Sequence, residues 1–237
     1  MIEISHLTKK FDQFFAIDDL SFSIREGEVL GFLGPNGAGK STTMKVITGF
    51  LSPSSGRVTI DGHDISTAAL EAKRLIGYLP EGAPSYGDMT TLEFLRFIAQ
   101  VRGFRGVEIE QKVDQVINEV ALQTVRDQSI ETLSKGFKRR VGLAQAIMHD
   151  PKVLVLDEPT DGLDPNQKHH VRALIKSLAT DKIVIISTHI LEEVTAVCSR
   201  AVIISNGKIV ADGTPSELES QSRFHQAIRV TLTDSHD

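Results

Sequence analysis

One cysteine, Cys198, is all the thiol that the 237 residues contain, so an internal disulfide and a multi-cysteine zinc site are both excluded. That usage fits a reducing compartment. Positive charge is also short. Lys and Arg number 26 against 31 Asp and Glu, a formal net charge of −5, which leaves no overall field to hold nucleic acid by its phosphates. No apolar run approaches the roughly 18 residues needed to cross a bilayer, and Glu3 and His6 interrupt the N-terminal stretch. The expectation is a soluble chain without an export signal. Repeats, low-complexity segments and heptads are missing as well, which excludes solenoids and coiled coils. What remains is ordinary globular material, 41% hydrophobic and 24% charged, long enough for one large α/β domain or two small ones.

Against that background one stretch stands out. Gly34-Pro35-Asn36-Gly37-Ala38-Gly39-Lys40-Ser41-Thr42 satisfies G-x-x-x-x-G-K-[ST], a loop whose backbone amides cradle nucleotide phosphates. Val29–Leu33 reads as a buried strand entering it and Thr43–Ile47 as a helix leaving it, which is the order the motif requires. The glycines allow close approach to phosphate oxygens, and the helix start adds unpaired N–H groups and a positive dipole end. Lys40 supplies a point charge to the terminal phosphates and Ser41 a hydroxyl to Mg²⁺. The bland alternative is an accidental glycine-rich turn, and the flanking strand and helix argue against it.

The pattern changes along the chain. Short alternating or apolar runs at residues 2–4, 20–24, 29–33 and 57–60 give a strand-rich beginning with one helix inserted. From Thr90 to His149 the period becomes helical, with Thr90 and Glu93 as a capping box and Val113, Val116, Ile117 and Val120 at helical spacing. After Pro151 apolar strands return at 153–156, 183–186 and 201–204 with helical stretches between them, which implies a parallel sheet. Asn206-Gly207 marks a hairpin near the end. The predicted architecture is an α/β core carrying a helical insertion.

Val153–Leu156 runs into Asp157 and Glu158. Asp157 is placed to hold Mg²⁺ with Ser41, and Glu158 stands beyond it, where it can polarise a water attacking a γ-phosphate. Alone, a core strand ending in Asp is a weak signal; paired with residues 34–42 it is a strong one.

At this point the residues resemble the nucleotide-binding subunit of ABC transporters, from Ile2 to about Leu218. Phe11 resembles that family's adenine-stacking aromatic, Glu81 stands at the usual Q-loop glutamine, and Leu133-Ser134-Lys135-Gly136-Phe137 is similar to the signature motif. Asp157 and Glu158 follow, then Gly162-Leu163-Asp164-Pro165 as the D-loop and His189 as the switch histidine. The resemblance implies a P-loop NTPase core of mostly parallel sheet flanked by helices, with an N-terminal antiparallel β subdomain and an inserted α-helical subdomain. Residues 1–85 and 151–218 form the core with its β subdomain, 86–150 the helical signature block, and 219–237 a tail with no assigned role, whose one apolar run is Ala227–Leu232.

It also implies an Mg²⁺-dependent ATPase. Lys40, Ser41 and Asp157 position ATP and the ion, with Glu81 as a further metal contact. Glu158 is the general base and His189 donates to the γ-phosphate. Ser134 and Gly136, at a helix expected to begin near Phe137, hold the ATP of a second copy, so two copies sandwich two nucleotides about a two-fold axis. The implied partners are that second copy and a separate integral membrane permease, with no nucleic acid, which places the chain on the cytoplasmic face of the cell membrane. The wording around Glu81 and the signature is most like exporters.

Several bland readings stay beside these. Phe11 is equally a core residue of the first hairpin, with Phe14 or Phe15 taking the base. Lys135, Lys138, Arg139 and Arg140 read alone as a solvated basic helix start or a nucleic-acid patch. Phe94, Leu95, Phe97, Ile98 and Phe104 offer a permease contact between Ser85 and Arg105 or simply pack inside the helical block. His169 and His170 look merely exposed. Glu81 and the pair Lys135 and Phe137 depart from the commoner glutamine, glycine and glutamine. The competing functions are a soluble ABC ATPase of DNA repair or translation, a GTP switch or nucleotide kinase, and a non-hydrolysing ATP-binding module.

Overall fold

Alternation in the first quarter and unbroken apolar runs later produce two different sheets. A computed structural model describes residues 1–82 and 86–220; Ser85 and the run Ala227–Leu232 lie outside these described residues. The elements in chain order are β1 (Ile2–Phe11), β2 (Phe14–Ile24), β3 (Val29–Leu33), α1 (Lys40–Ile47), β4 (Ser55–Ile60), β5 (His63–Asp64), α2 (Ala69–Arg74) and β6 (Ile76–Leu79). There follow α3 (Thr91–Val101), α4 (Val107–Glu119), two 3-10 turns, α5 (Lys135–Ile147), β7 (Val153–Asp157), α6 (Pro165–Leu178), β8 (Ile183–Thr188), α7 (Leu191–Val197), β9 (Arg200–Ser205), β10 (Lys208–Gly213) and α8 (Pro215–Ser220).

The smaller sheet, ordered β2-β1-β4-β5, is antiparallel. The larger, ordered β10-β9-β3-β8-β7-β6, is parallel except for β10, which turns back on β9 at Asn206-Gly207 as expected. Strands buried on both faces need side chains that are apolar at every position, which is why 153–156 and 183–186 do not alternate. Val153, Val155, Ile183 and Ile185 pack with α1 (Met44, Ile47) and the inner face of the small sheet. Leu154, Leu156, Val184 and Ile186 pack with the helical block and α6. Each such side chain contributes about 1.5–3 kcal/mol by leaving water.

Two expectations are corrected and one open alternative is decided. β1 runs seven residues past Ile4, because register shifts after Ile4 and a left-handed His6 (φ 50°) break the alternation that would have marked it. Four-residue β6 carries no strand signal in the sequence, because it is too short for a periodic pattern and stops at Leu79, just before Pro80. Of the two readings of the apolar stretch 94–104, packing inside the helical block is the one observed: Phe94 and Leu95 are buried, and Ile98 and Phe104 pack against the same cluster as Val113, Val116 and Ile117.

Candidate functional site

The phosphate loop leaves the end of β3 and closes on the first turn of α1, where geometry leaves the leading N–H groups without intrahelical acceptors. The N-cap is Gly39, at φ 109° and with no side chain to cap those donors. A Cβ at this position would lie 2.4 Å from the Ala16 carbonyl oxygen, so glycine is required by contact as well as by conformation. The same carbonyl lies against Gly207, whose amide donates to Ala38 O (3.0 Å), while Asp18 N donates to Gly207 O (2.9 Å). These bonds tie the β1–β2 hairpin and the β9–β10 turn to the loop.

A cleft of about 450 Å³ opens there, lined by Phe11, Phe14 and Ala16 from the hairpin, Asn36, Gly37, Gly39, Lys40, Ser41 and Thr42 from the loop and helix start, and Glu81 and Glu158 opposite. Both aromatics are well exposed, Phe11 at 45% and Phe14 at 63%. They are therefore wall residues of the cleft and not core of the hairpin. Lys40 is almost fully buried and its Nζ donates to the carbonyls of Gly34 (2.7 Å) and Pro35 (3.1 Å), loop acceptors that a phosphate can replace.

Asp157 ends β7, is 1% exposed, and accepts from the Ser187 hydroxyl on neighbouring β8 through Oδ1. Its Oδ2 has no hydrogen-bond partner among the described residues. A buried carboxylate oxygen without a donor is costly unless a cation completes it. Tyr78 on β6 feels the same carboxylate: burial first, then the Asp157 charge, pushes its phenol up to about 12, so it stays neutral. Glu158 follows in a left-handed conformation (φ 52°), its amide donating to Ser187 O (3.0 Å). Its carboxylate meets His189 Nδ1 at 2.9 Å, just past the end of β8. A ring whose Nδ1 donates to Glu158 has Nε2 left to face another group.

An Mg²⁺ fits these donors. Ser41, Glu81 and Asp157 offer oxygens only, the choice of a hard cation. Among the described residues no three acidic, histidine or cysteine side chains cluster into a self-sufficient metal site.

The signature segment lies elsewhere. Ser134 is the N-cap of α5, which starts at Lys135 rather than near Phe137, and its hydroxyl accepts from Phe137 N at 3.3 Å. Ser134 and Lys135 are exposed, whereas Gly136 is buried, and a Cβ on it would lie 2.6 Å from Gln167 Oε1. Asp164 caps α6, accepting from Gln167 N at 2.9 Å. None of Ser134, Gly136 or Asp164 lines the cleft formed with Lys40. Only part of the basic helix start is solvated: Lys135 is exposed and Lys138 half-buried, but the two arginines are not. Arg140 is buried, stacks on Phe137 (4.2 Å) and donates to Ala121 O (2.7 Å) beyond the end of α4, and Arg139 is buried too. His169 and His170 are exposed as expected.

Sequence reasoning missed the network behind Glu158 and His189. Glu193 of α7 is 5% exposed and accepts from the hydroxyls of Thr160 and Thr188 (2.9 Å), two residues after Glu158 and one before His189. No motif marks it; only the fold brings α7 to these two loops.

The family model for ABC transporters matches residues 17–161. The Linearmycin resistance ATP-binding protein LnrL of Bacillus subtilis (strain 168) is 36% identical over 234 residues, covering 98% of this chain and 75% of LnrL. The probable multidrug ABC transporter ATP-binding protein YbhF of Escherichia coli (strain K12) is 37% identical over 226 residues, covering 94% of this chain; the chain spans 38% of YbhF's length. A solved ATP-binding subunit of an ABC transporter superposes with a TM-score of 0.85 at 30% identity, covering 93% of this chain and 92% of that one. A dimeric ATP-binding cassette bound to ADP and Pi in a post-hydrolysis state has a TM-score of 0.84 at 23% identity, covering 91% and 99%, a likeness of fold.

Proposed function

The chain belongs to the ABC transporter family, and from that premise we propose that it is the ATP-binding and ATP-hydrolysing subunit of an exporter whose permease is a separate membrane chain. The observation that carries the reading is the cleft itself, where an uncapped helix start and Lys40 face Glu158, and Glu158 is paired with His189 at 2.9 Å.

In this reading Phe11 stacks on adenine and the loop from Gly34 to Thr42 receives the phosphates. Lys40 exchanges its two carbonyl acceptors for phosphate oxygens. Ser41, Asp157 and Glu81 would hold an Mg²⁺, which would supply positive charge to offset that of the triphosphate. Glu158 takes a proton from the attacking water, and His189, with Nδ1 on Glu158, presents Nε2 toward the γ-phosphate.

Ser134, Gly136 and Asp164 act on the nucleotide of a second copy. Their exclusion from this chain's own cleft supports that division, and the exposed start of α5 at Ser134, capped by one hydroxyl without a reciprocal carboxylate, is an anion site. ATP held by both copies favours the closed pair, and hydrolysis releases it.

Among the described residues no helix is long and apolar enough to cross a membrane. A permease would meet the chain at the groove of about 470 Å³ lined by Phe50, Lys45, Tyr78, Pro80, Gly82, Arg102 and Gln145, because that groove shares Glu81 with the nucleotide cleft and Phe50 stands 72% exposed. The chain then sits on the cytoplasmic face of the membrane.

The test is specific ATPase activity over a dilution series, with Glu158→Gln beside it. Activity per chain is expected to fall as the paired state dissociates. The Glu158→Gln chain is expected to bind ATP, hydrolyse it roughly 10²–10⁴-fold more slowly and accumulate as a dimer. Constant turnover at dilutions where only monomer persists would refute the shared site.

A further inference from the structure

Arg139 lies on the second turn of α5, five residues after Ser134, and is 6% exposed. Its Nη1 donates to the carbonyl of Pro80 at 2.7 Å and its Nη2 to the carbonyl of Glu158 at 2.6 Å, while Nε has no partner among the described residues. Both acceptors are main-chain groups, and each belongs to or directly precedes a carboxylate that lines the nucleotide cleft: Pro80 precedes Glu81, and Glu158 carries its own. A guanidinium presents its donors in a fixed planar fork, so two bonds to two segments also fix the distance between those segments.

The backbone of Glu158 gives that bond something to hold. Its φ of 52° is a left-handed conformation that non-glycine residues adopt only when their surroundings determine it. Its amide is anchored by Ser187 O at 3.0 Å, and its carbonyl is shared by Asp161 N (3.1 Å) and Arg139. Without Arg139 the carbonyl is held by Asp161 N alone, which loosens the hold on the peptide that sets the carboxylate beside His189. The positive charge also faces Asp157, Asp161, Glu158 and Glu81, which otherwise repel one another across the site.

We propose that Arg139 is a positioning residue for hydrolysis: by bridging the Pro80 and Glu158 carbonyls it sets where the Glu81 and Glu158 carboxylates stand in the cleft, and it ties both to the helix that carries Ser134. The hydrolytic part rests on the function proposed above. Arg139 touches neither nucleotide nor water in this role, so its effect belongs in turnover and not in affinity.

Arg139→Met in the full chain tests this. The expected result is a kcat lower by roughly 10–100-fold, the scale of a misplacement of about 1 Å, with KM for ATP within about threefold of the parent chain. On a Glu158→Gln background the same change is expected to cost less than about twofold more, because the group being positioned is already gone. Hydrogen exchange without nucleotide is expected to quicken in 79–82 and 157–161. An unchanged kcat, a loss carried by KM, an equal further loss on the Glu158→Gln background, or unchanged exchange in both segments overturns the proposal. Should Arg139→Met not fold, Arg139→Lys carries the same measurements: it keeps the charge without the fork, so a partial kcat loss supports the bridge and full parental kcat overturns it. If the parent chain itself binds ATP without hydrolysing it, the hydrolytic reading fails and the exchange arm alone decides whether Arg139 holds the two segments.

Discussion

Two helix starts in this chain meet the same demand in opposite ways. At α3 the side chain of Thr90 accepts from Glu93 N (3.2 Å), and the Glu93 carboxylate accepts from Thr90 N (2.8 Å) and from its hydroxyl (2.9 Å). The exposed donors are satisfied from within the helix. At α1 the N-cap is a glycine with no side chain, and the position a Cβ would need is occupied by the Ala16 carbonyl. A side-chain cap is therefore sterically barred at the one helix start that opens into the cleft. Donors that the chain is built not to satisfy are donors kept for a ligand. At α5 Ser134 accepts from Phe137 N at 3.3 Å, much as Thr90 does at α3, but Phe137 has no carboxylate to return the bond; it lies between the two extremes, as suits a helix start proposed to receive phosphate only when a second copy brings it.

The contrast breaks first at Lys40. Among the described residues its ammonium is the one lysine or arginine charge lining the cleft, against the carboxylates of Glu81 and Glu158. Lys40→Ala removes two to three charge-assisted bonds to phosphate, each about 1.5–3 kcal/mol, so ATP affinity is expected to fall on the order of 10²-fold or more. Thermal stability should change little, since the bonds lost from the free chain are to loop carbonyls. Equilibrium titration with a fluorescent ATP analogue measures the first effect and a melting curve the second. Affinity within a factor of three of the parent would mean the open helix start is not a phosphate site.

A smaller effect is expected at the other end of the nucleotide. Stacking of a base is worth roughly 1–3 kcal/mol, so Phe11→Ala should weaken ATP binding about 10- to 100-fold. Inorganic triphosphate, competing for the same cleft, should bind Phe11→Ala and parent alike. An unchanged ATP affinity would move the base contact to Phe14, which lines the same cleft and is more exposed. Phe15 does not line it.

Much of this was legible in the residues because the signals were local. The phosphate loop, the capping box, the apolar strands at 153–156 and 183–186, and the hairpin at Asn206-Gly207 each depend on neighbours within a few positions. What was missed depends on contacts distant in sequence. Arg139 reads as a surface cation beside Lys138 and Arg140, and only the packing of α5 against β6 and β7 buries it. Glu193 reads as one of two acidic residues opening α7, yet its neighbour Glu192 is exposed while Glu193 gathers Thr160 and Thr188. The length of β1 was hidden for a different reason: a left-handed residue inside the strand shifts the alternation from which strands are recognised.

The smallest effect sharpens the comparison from the satisfied side. Thr90→Ala removes a complete capping box from α3, and such a loss costs about 1 kcal/mol, visible as a lower urea midpoint at unchanged slope. ATP affinity should not move, because Thr90 and Glu93 are absent from the cleft lining. The box also has a pH signature. Hydrogen bonds from the Thr90 amide and then its hydroxyl hold the Glu93 carboxyl below its ordinary range. A depressed carboxyl stabilises the fold above its unfolded pKa of about 4.3, and that contribution fades as pH falls through the lower folded value. Glu93→Gln should therefore lose stability relative to the parent at neutral pH and converge with it in acid. If the two chains keep a constant difference from pH 7 down through that range, the carboxylate is not what closes this helix start, and the contrast with Gly39 loses its satisfied half.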